Sequence, residues 1–211
     1  MNVTMIAVIN YGVGNLFSLA SSLRHIGQEV LVTGDPDALS QADRLILPGV
    51  GAFGDAAKKL RETGLGEALK AEAKRGKPVL GICLCMQLLL TRSFEFGEHE
   101  GLDLIPGEVR ALSETIDPAL KIPHIGWNPL TLVRPSALFR DVRDGDSVYF
   151  VHSFQGTNCE KYTLALTEYS APVTAAVGRD NVAGCQFHPE KSGRVGLSIL
   201  KAFAETEGAL C

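Results

Sequence analysis

One tryptophan and five cysteines in 211 residues leave little room for several structural classes. The cysteines (Cys83, Cys85, Cys159, Cys185 and Cys211) are odd in number and form no CxxC blocks, so neither a disulfide framework nor a structural zinc module is expected. No metal or cofactor is expected either. Long apolar runs are missing: the longest nearly apolar stretch, Pro78–Leu90, spans 13 residues and contains Gln87, whereas a membrane helix needs roughly 20. A secretory signal is lacking too, because the first basic residue, Arg24, comes well after the apolar Met5–Ile9 segment. The chain therefore reads as cytoplasmic. Positive charge is not in excess: Lys plus Arg number 20 against 24 Asp plus Glu, a formal charge of −4, so nucleic acid is not expected as a partner. What remains is ample core material, 45% hydrophobic residues, with no internal repeat. At about 150 residues per domain, this suggests one domain over residues 1–211.

Along the chain, short apolar runs alternate with helical periodicity. Met5–Ile9 is a strand that ends in a Gly-rich turn, and Leu16, Leu19, Ala20 and Leu23 then recur at helical spacing. Asn15 is the expected N-cap and Gly27 the expected stop. Glu29–Thr33 and Arg44–Leu47 are the next strands, with a short helix at Pro36–Ala42 between them. A helical stretch from Asp55 to Arg75 is interrupted near Gly64 and stopped by Gly76. Val79–Ile82 is a doubly buried strand followed by a helix, Leu84–Leu90. This alternation predicts a parallel sheet covered on both faces. Beyond Arg92 the texture changes to shorter strand candidates near Val109, Leu130, Val148, Leu164, Val173 and Val182, and a last helix at Val195–Ala204 packs back on the sheet.

Gly81-Ile82-Cys83-Leu84-Cys85 falls where a buried strand becomes a helix, the context of a nucleophile elbow. A thiol there lies over a helix N-terminus, which favours the thiolate. A buried structural cysteine gives the same pentapeptide. Cys85 falls about half a helical turn further on and points away from the opening. Downstream, Val182–Phe187 reads as a strand leading into His188-Pro189-Glu190. Extended geometry directs residues two apart to the same side, so His188 can act as base and Glu190 as its orienter. A solvated strand end is the alternative. Gly49-Val50-Gly51-Ala52-Phe53-Gly54 matches GxGxxG and opens a dinucleotide reading. That reading lacks its acidic ribose partner, because about 20 residues on lies Glu72, inside a helix. The other use of Pro48-Gly49-Val50-Gly51 is as a rigid turn that offers N–H groups to an oxyanion, with the Leu84 N–H as second donor.

A cysteine elbow, an upstream Pro-Gly-Val-Gly turn and a downstream His-x-Glu, in this order, resemble the class I triad glutamine amidotransferases. The segments Asn10-Tyr-Gly-Val-Gly-Asn15, Leu47-Pro-Gly-Val-Gly51, Met86-Gln-Leu-Leu89, Pro123-His-Ile-Gly-Trp-Asn128, Tyr149-Phe-Val-His-Ser153 and Gln186-Phe-His-Pro-Glu-Lys-Ser192 extend the resemblance over essentially the whole chain. They make it similar to the glutaminase subunits of imidazole glycerol phosphate synthases. The resemblance implies a three-layer α/β/α fold with a flavodoxin-like, mostly parallel open sheet and an added β-rich part in the C-terminal half. It implies glutamine hydrolysis through a thioester on Cys83, with His188 and Glu190 completing the triad and Gly49, Val50 and Leu84 serving the oxyanion. Gly51, Gln87, Glu95, Ser153 and Phe154 would contact L-glutamine. A (β/α)8-barrel cyclase subunit would complete a heterodimer, with Asn15, Trp127, Tyr149 and Lys191 facing it; Trp127 as ordinary core is the alternative. Amidotransfer in another pathway and a cysteine hydrolase on the same scaffold are the competing activities. Two departures stand out. Phe154 replaces a customary tyrosine, which leaves binding to its backbone. Cys85 replaces the elbow glycine, which predicts a slightly opened corner and a weaker donor at Leu84.

Overall fold

A computed structural model describes residues 4–211. Its first half runs β1 (Met5–Ile9), α1 (Leu16–His25), β2 (Glu29–Thr33), β3 (Arg44–Gly49), α2 (Phe53–Glu62), α3 (Leu65–Lys74), β4 (Val79–Cys83) and α4 (Leu84–Leu88). The second half opens with three short strands, β5 (Arg92–Ser93), β6 (His99–Glu100) and β7 (Glu108–Ala111). There follow β8 (His124–Pro129), β9 (Thr131–Leu132), β10 (Ser147–His152), β11 (Phe154–Thr157), β12 (Thr163–Glu168), β13 (Pro172–Arg179), β14 (Val182–Cys185) and α5 (Gly193–Glu205).

The main sheet has the order β2-β1-β3-β4-β14-β13-β12-β9. Its first five strands pair in parallel and the remaining three antiparallel. The parallel part has the flavodoxin-like order. Side chains alternate between two cores. Ile6, Val8, Ile46 and Leu80 point to the layer that holds α1 and α5, while Ala7, Ile9, Leu45 and Val79 point to α2, α3 and α4. This is the expected three-layer α/β/α arrangement. The continuous apolar runs arise because β1, β3 and β4 are covered on both faces. Two smaller sheets complete the C-terminal half, the β8–β10 ribbon and a four-stranded β11-β7-β5-β6 sheet.

Local chemistry accounts for the helix limits. Asn15 Oδ1 accepts from the Ser18 N–H, and Gly27, Gly64 and Gly76 all have positive φ where helices stop. Some boundaries differ from expectation. Pro36–Ala42 is a 3₁₀ turn over Asp37–Gln41, α4 ends at Leu88, and β14 ends at Cys185. The strand expected near Leu130 is two strands, β8 and β9, on either side of that residue. Among the described residues, no helix is long and apolar enough to cross a membrane.

Candidate active site

The site lies at the carboxyl ends of β3, β4 and β14, where open α/β sheets bind ligands. Cys83 ends β4 with φ +56° and ψ −114°, a conformation that non-glycine residues rarely adopt and that the tight strand-to-helix turn imposes. Three glycines make the corner possible. A Cβ on Gly81 would stand 2.6 Å from the Cys85 carbonyl oxygen, one on Gly184 would stand 2.5 Å from Met86 Cγ, and one on Gly49 would strike Cys85 Sγ and Tyr11 Oη. The helix therefore sits hard against its strands with Cys85 in place. The Cys85 thiol occupies the space above Gly49 and lies 3.1 Å from Tyr11 Oη, fully buried. Burial pushes its pKa up, which makes it a poor nucleophile.

His188 follows β14, and its Nδ1 lies 2.8 Å from Glu190 Oε1. The pairing has a different origin from the one expected. The strand stops at Cys185, and Pro189–Lys191 forms a 3₁₀ turn that folds the carboxylate back onto the ring. Both side chains are buried. Burial opposes charge on the imidazole, but contacts with Cys83 and Glu190 outweigh it and push the His188 pKa up to about 9. Nε2 has no hydrogen-bond partner of its own and is the nitrogen left to serve Cys83. Gln186 Nε2 lies 3.8 Å from the Cys83 sulfur, and the Val151 carbonyl lies 3.9 Å from it on the other side.

Cys83 and His188 line one cleft of about 410 Å³, together with Val50, Gly51, Leu84, Gln87, Glu95, Ser153 and Phe154. Two expected residues do not line it: Gly49 lies behind the wall, level with Cys83 in the β3–β4 pairing, and Glu190 lies on the Nδ1 side of the His188 ring. The polar atoms are already partly committed. Gln87 Nε2 donates to Gln186 Oε1 (2.9 Å) and to the Phe154 carbonyl (3.1 Å), so its Oε1 is the atom free for a ligand. The Phe154 carbonyl also lies 2.8 Å from His152 Nδ1, which fills both of its lone pairs. Backbone binding through Phe154 is thereby confined to its N–H. Glu95 Oε2 accepts the Phe53 N–H at 2.8 Å, and burial raises the carboxyl pKa despite that bond. Pro123, Val151 and His152, which the sequence signalled only through their motifs, also line the cleft, as does Phe96, which lies in no motif.

The glycine loop does not suit a dinucleotide. The Phe53 N–H at the start of α2, where a pyrophosphate would sit, already holds the Glu95 carboxylate. Glu72 pairs with Arg75 and with Lys77 (2.8 Å) at the far end of α3.

The model of the family "Glutamine amidotransferase class-I" matches residues 7–206. The chain belongs to the class I glutamine amidotransferases. Within this family it is similar to the imidazole glycerol phosphate synthase subunit HisH of Caldanaerobacter subterraneus subsp. tengcongensis, 46% identical over 95% of this chain and 98% of the relative. The HisH subunit of Lacticaseibacillus casei is 49% identical over 95% of each chain. Among solved structures, PurLQS from Thermotoga maritima matches with a TM-score of 0.74 at 20% identity, covering 96% of this chain and 98% of that one. The glutaminase domain of Trypanosoma brucei CTPS with bound acivicin matches at 0.67 and 17%, covering 100% and 97%. These likenesses concern the fold.

In this class I amidotransferase, three of the four residues expected to face a partner lie together. Trp127 stands opposite Tyr149 in the β8–β10 ribbon, their rings 6.1 Å apart, and Lys191 Nζ lies 5.8 Å from the Tyr149 ring. Trp127 is 55% exposed and is no part of the core. Asn15 caps α1, just beyond the carboxyl end of β1.

Proposed function

We propose that this chain, as a single glutaminase domain, hydrolyses L-glutamine to glutamate and ammonia and acts as the glutaminase subunit of an imidazole glycerol phosphate synthase in histidine biosynthesis. The observation that carries the reading is the meeting of Cys83 and His188 at one cleft of a size to hold an amino acid, with Glu190 hydrogen-bonded to the far nitrogen of the ring. His188 Nε2 takes the Cys83 proton, and the sulfur attacks the γ-carboxamide carbon of glutamine. The tetrahedral oxyanion is met by the N–H groups of Val50 and Leu84, both of which line the cleft. His188 returns the proton to the departing nitrogen, which leaves as ammonia and a γ-glutamyl thioester on Cys83. Water, deprotonated by the same imidazole, then cleaves the thioester and restores the thiol. Glu190 holds the ring through Nδ1–H and stabilises its charged form. Gly51, Gln87, Glu95, Ser153 and Phe154 form the glutamine subsite.

Ammonia released into bulk water is protonated and loses its nucleophilicity, so the chemistry calls for a synthase docked over the cleft. We assign that place to a (β/α)8-barrel cyclase subunit in a cytoplasmic heterodimer. The barrel would supply the phosphoribosyl substrate site and receive the ammonia. A glutamine-analogue electrophile tests the reading: mass spectrometry should find the adduct on Cys83 and none on Cys85, with glutamate release from glutamine abolished in step. Labelling of Cys85 alone, or turnover that survives full modification of Cys83, overturns it.

A further inference from the structure

Two histidines outside the triad form a polar chain that ends at the cleft. His124 and His152 face each other across the ribbon, both buried, with His124 Nδ1 3.1 Å from His152 Nε2. On the inner side His152 Nδ1 lies 2.8 Å from the Phe154 carbonyl. On the outer side His124 Nε2 lies 3.0 Å from Asn128 Oδ1, and Asn128 Nδ2 donates to the Glu168 carbonyl at 3.0 Å. The His124 ring is held flat between Phe150 (5.0 Å, 21°) and Tyr169 (4.1 Å, 23°).

The direction of these bonds follows from a count of protons. The Phe154 carbonyl and Asn128 Oδ1 are acceptors only, so the three links through the two rings need three N–H hydrogens. Two neutral imidazoles carry two. Burial keeps the rings neutral: it pushes the His152 pKa down to about 4, with His124 and His188 adding to the effect, and lowers that of His124 against the Asn128 contact. One link therefore goes without a proton. Both outer links are partly buried, but the one at Asn128 is the longer, 3.0 Å against 2.8 Å, and adjoins the exposed Asn128–Glu168 bond, where water can serve the unpaired nitrogen. The protons then fall on His152 Nδ1, donating to Phe154, and on His124 Nδ1, donating to His152 Nε2.

We propose that His152, backed by His124, is a positioning residue for glutamine: its Nδ1–H fixes the Phe154 carbonyl and with it the Ser153–Phe154 segment that borders the substrate cleft. Gln87 holds the same carbonyl from the other side, so the segment is gripped between α4 and the ribbon. The inference rests on the glutaminase reading for its substrate, but not for its hydrogen-bond geometry.

Two measurements test it. In the wild-type protein with uniformly ¹⁵N-labelled histidine, long-range ¹H–¹⁵N spectra at pH 7 should show His152 protonated on Nδ1 and bare on Nε2; the opposite tautomer overturns the proposal. In kinetics, His152→Ala should raise the KM for glutamine roughly tenfold, with kcat within about twofold. His152→Asn, whose amide donor takes the place of Nδ1–H, should recover most of that loss. Iodoacetamide should alkylate Cys83 in all three proteins at similar rates, which shows the triad intact. An unchanged KM in His152→Ala, or an Asn variant no better than Ala, refutes the positioning role. If the wild-type chain releases no glutamate from glutamine, the glutaminase reading fails while the tautomer still decides the geometry.

Discussion

At the scale of single residues, His188 carries the pH behaviour. Its folded pKa of about 9 lies above the ordinary value of 6.5, so the protein binds this proton more tightly when folded. The resulting stabilisation is fully present below pH 6.5 and is lost as pH rises through about 9. Urea midpoints measured from pH 6 to 10 should fall across that window in the wild type and fall less in Glu190→Gln, where the carboxylate that favours imidazolium is gone. A parallel slope in both would contradict the assigned cause. The same substitution bears on rate. A Gln amide donating to Nδ1 leaves the ring protonated on Nε2, unable to accept the thiol proton, so kcat should drop by roughly 10²–10⁴ with KM little changed. Cys85 shows where sequence reading reached its limit. Its departure from the elbow pattern was visible, but its accommodation depends on Gly49 and Tyr11, residues 36 and 74 positions away. Distances of that kind are set by the fold, and no local pattern encodes them.

The elements reveal a similar division. β1, β3 and β4 were readable because strands buried on both faces must be continuous apolar runs, and α1 was readable because Asn15 and Gly27 satisfy its ends locally. β5 and β6, two residues each, have no pattern of their own and exist because they pair with each other and with β7. β11 was missed for a related reason: Phe154–Thr157 lacks alternation and is drawn into register by β7. His188 and Glu190 were rightly paired from sequence, though a turn brings them together where an extended strand was expected. The elbow itself gives a graded prediction. Gly81→Ala meets the rigid Cys85 backbone at 2.6 and 2.8 Å, whereas Gly184→Ala meets Met86 at Cγ (2.5 Å), which can rotate aside, and at Cβ (2.9 Å) and Cα (3.1 Å), which cannot. Overpacking of this kind costs roughly 1–3 kcal/mol. Gly81→Ala should lie at or above the top of that range in urea unfolding, with Cys83 alkylation slowed as the corner opens; Gly184→Ala, relieved in part by rotation of the methionine, should lie inside the range. Equal losses would mean that the helix moves as freely as the methionine.

For the whole molecule, the ribbon joins the rim that would meet a partner to His188. Its outer face presents Trp127, Ile125 and Tyr149, and its inner face carries His124 and His152. The Tyr149 carbonyl accepts the His188 N–H at 3.0 Å, and the Tyr149 N–H donates to Ser192 Oγ at 3.0 Å, whose hydroxyl donates in turn to the His188 carbonyl at 2.6 Å. A subunit that presses on Tyr149 therefore acts on a backbone only one hydrogen bond from His188. The sequence holds one tryptophan, and it stands exposed on this face, so all tryptophan emission from this chain reports docking, once the partner's own emission is subtracted. Titration with the cyclase subunit should shift the emission to the blue as Trp127 is buried, and glutamine turnover should rise over the same concentration range. A central aromatic anchor typically contributes 2 kcal/mol or more, so Trp127→Ala should weaken the complex by about 30-fold or more while leaving the alkylation of Cys83 in the free chain unaltered. If instead the emission stays fixed while turnover rises, the partner engages another face, and the path from Tyr149 to His188 is not the one that carries its effect.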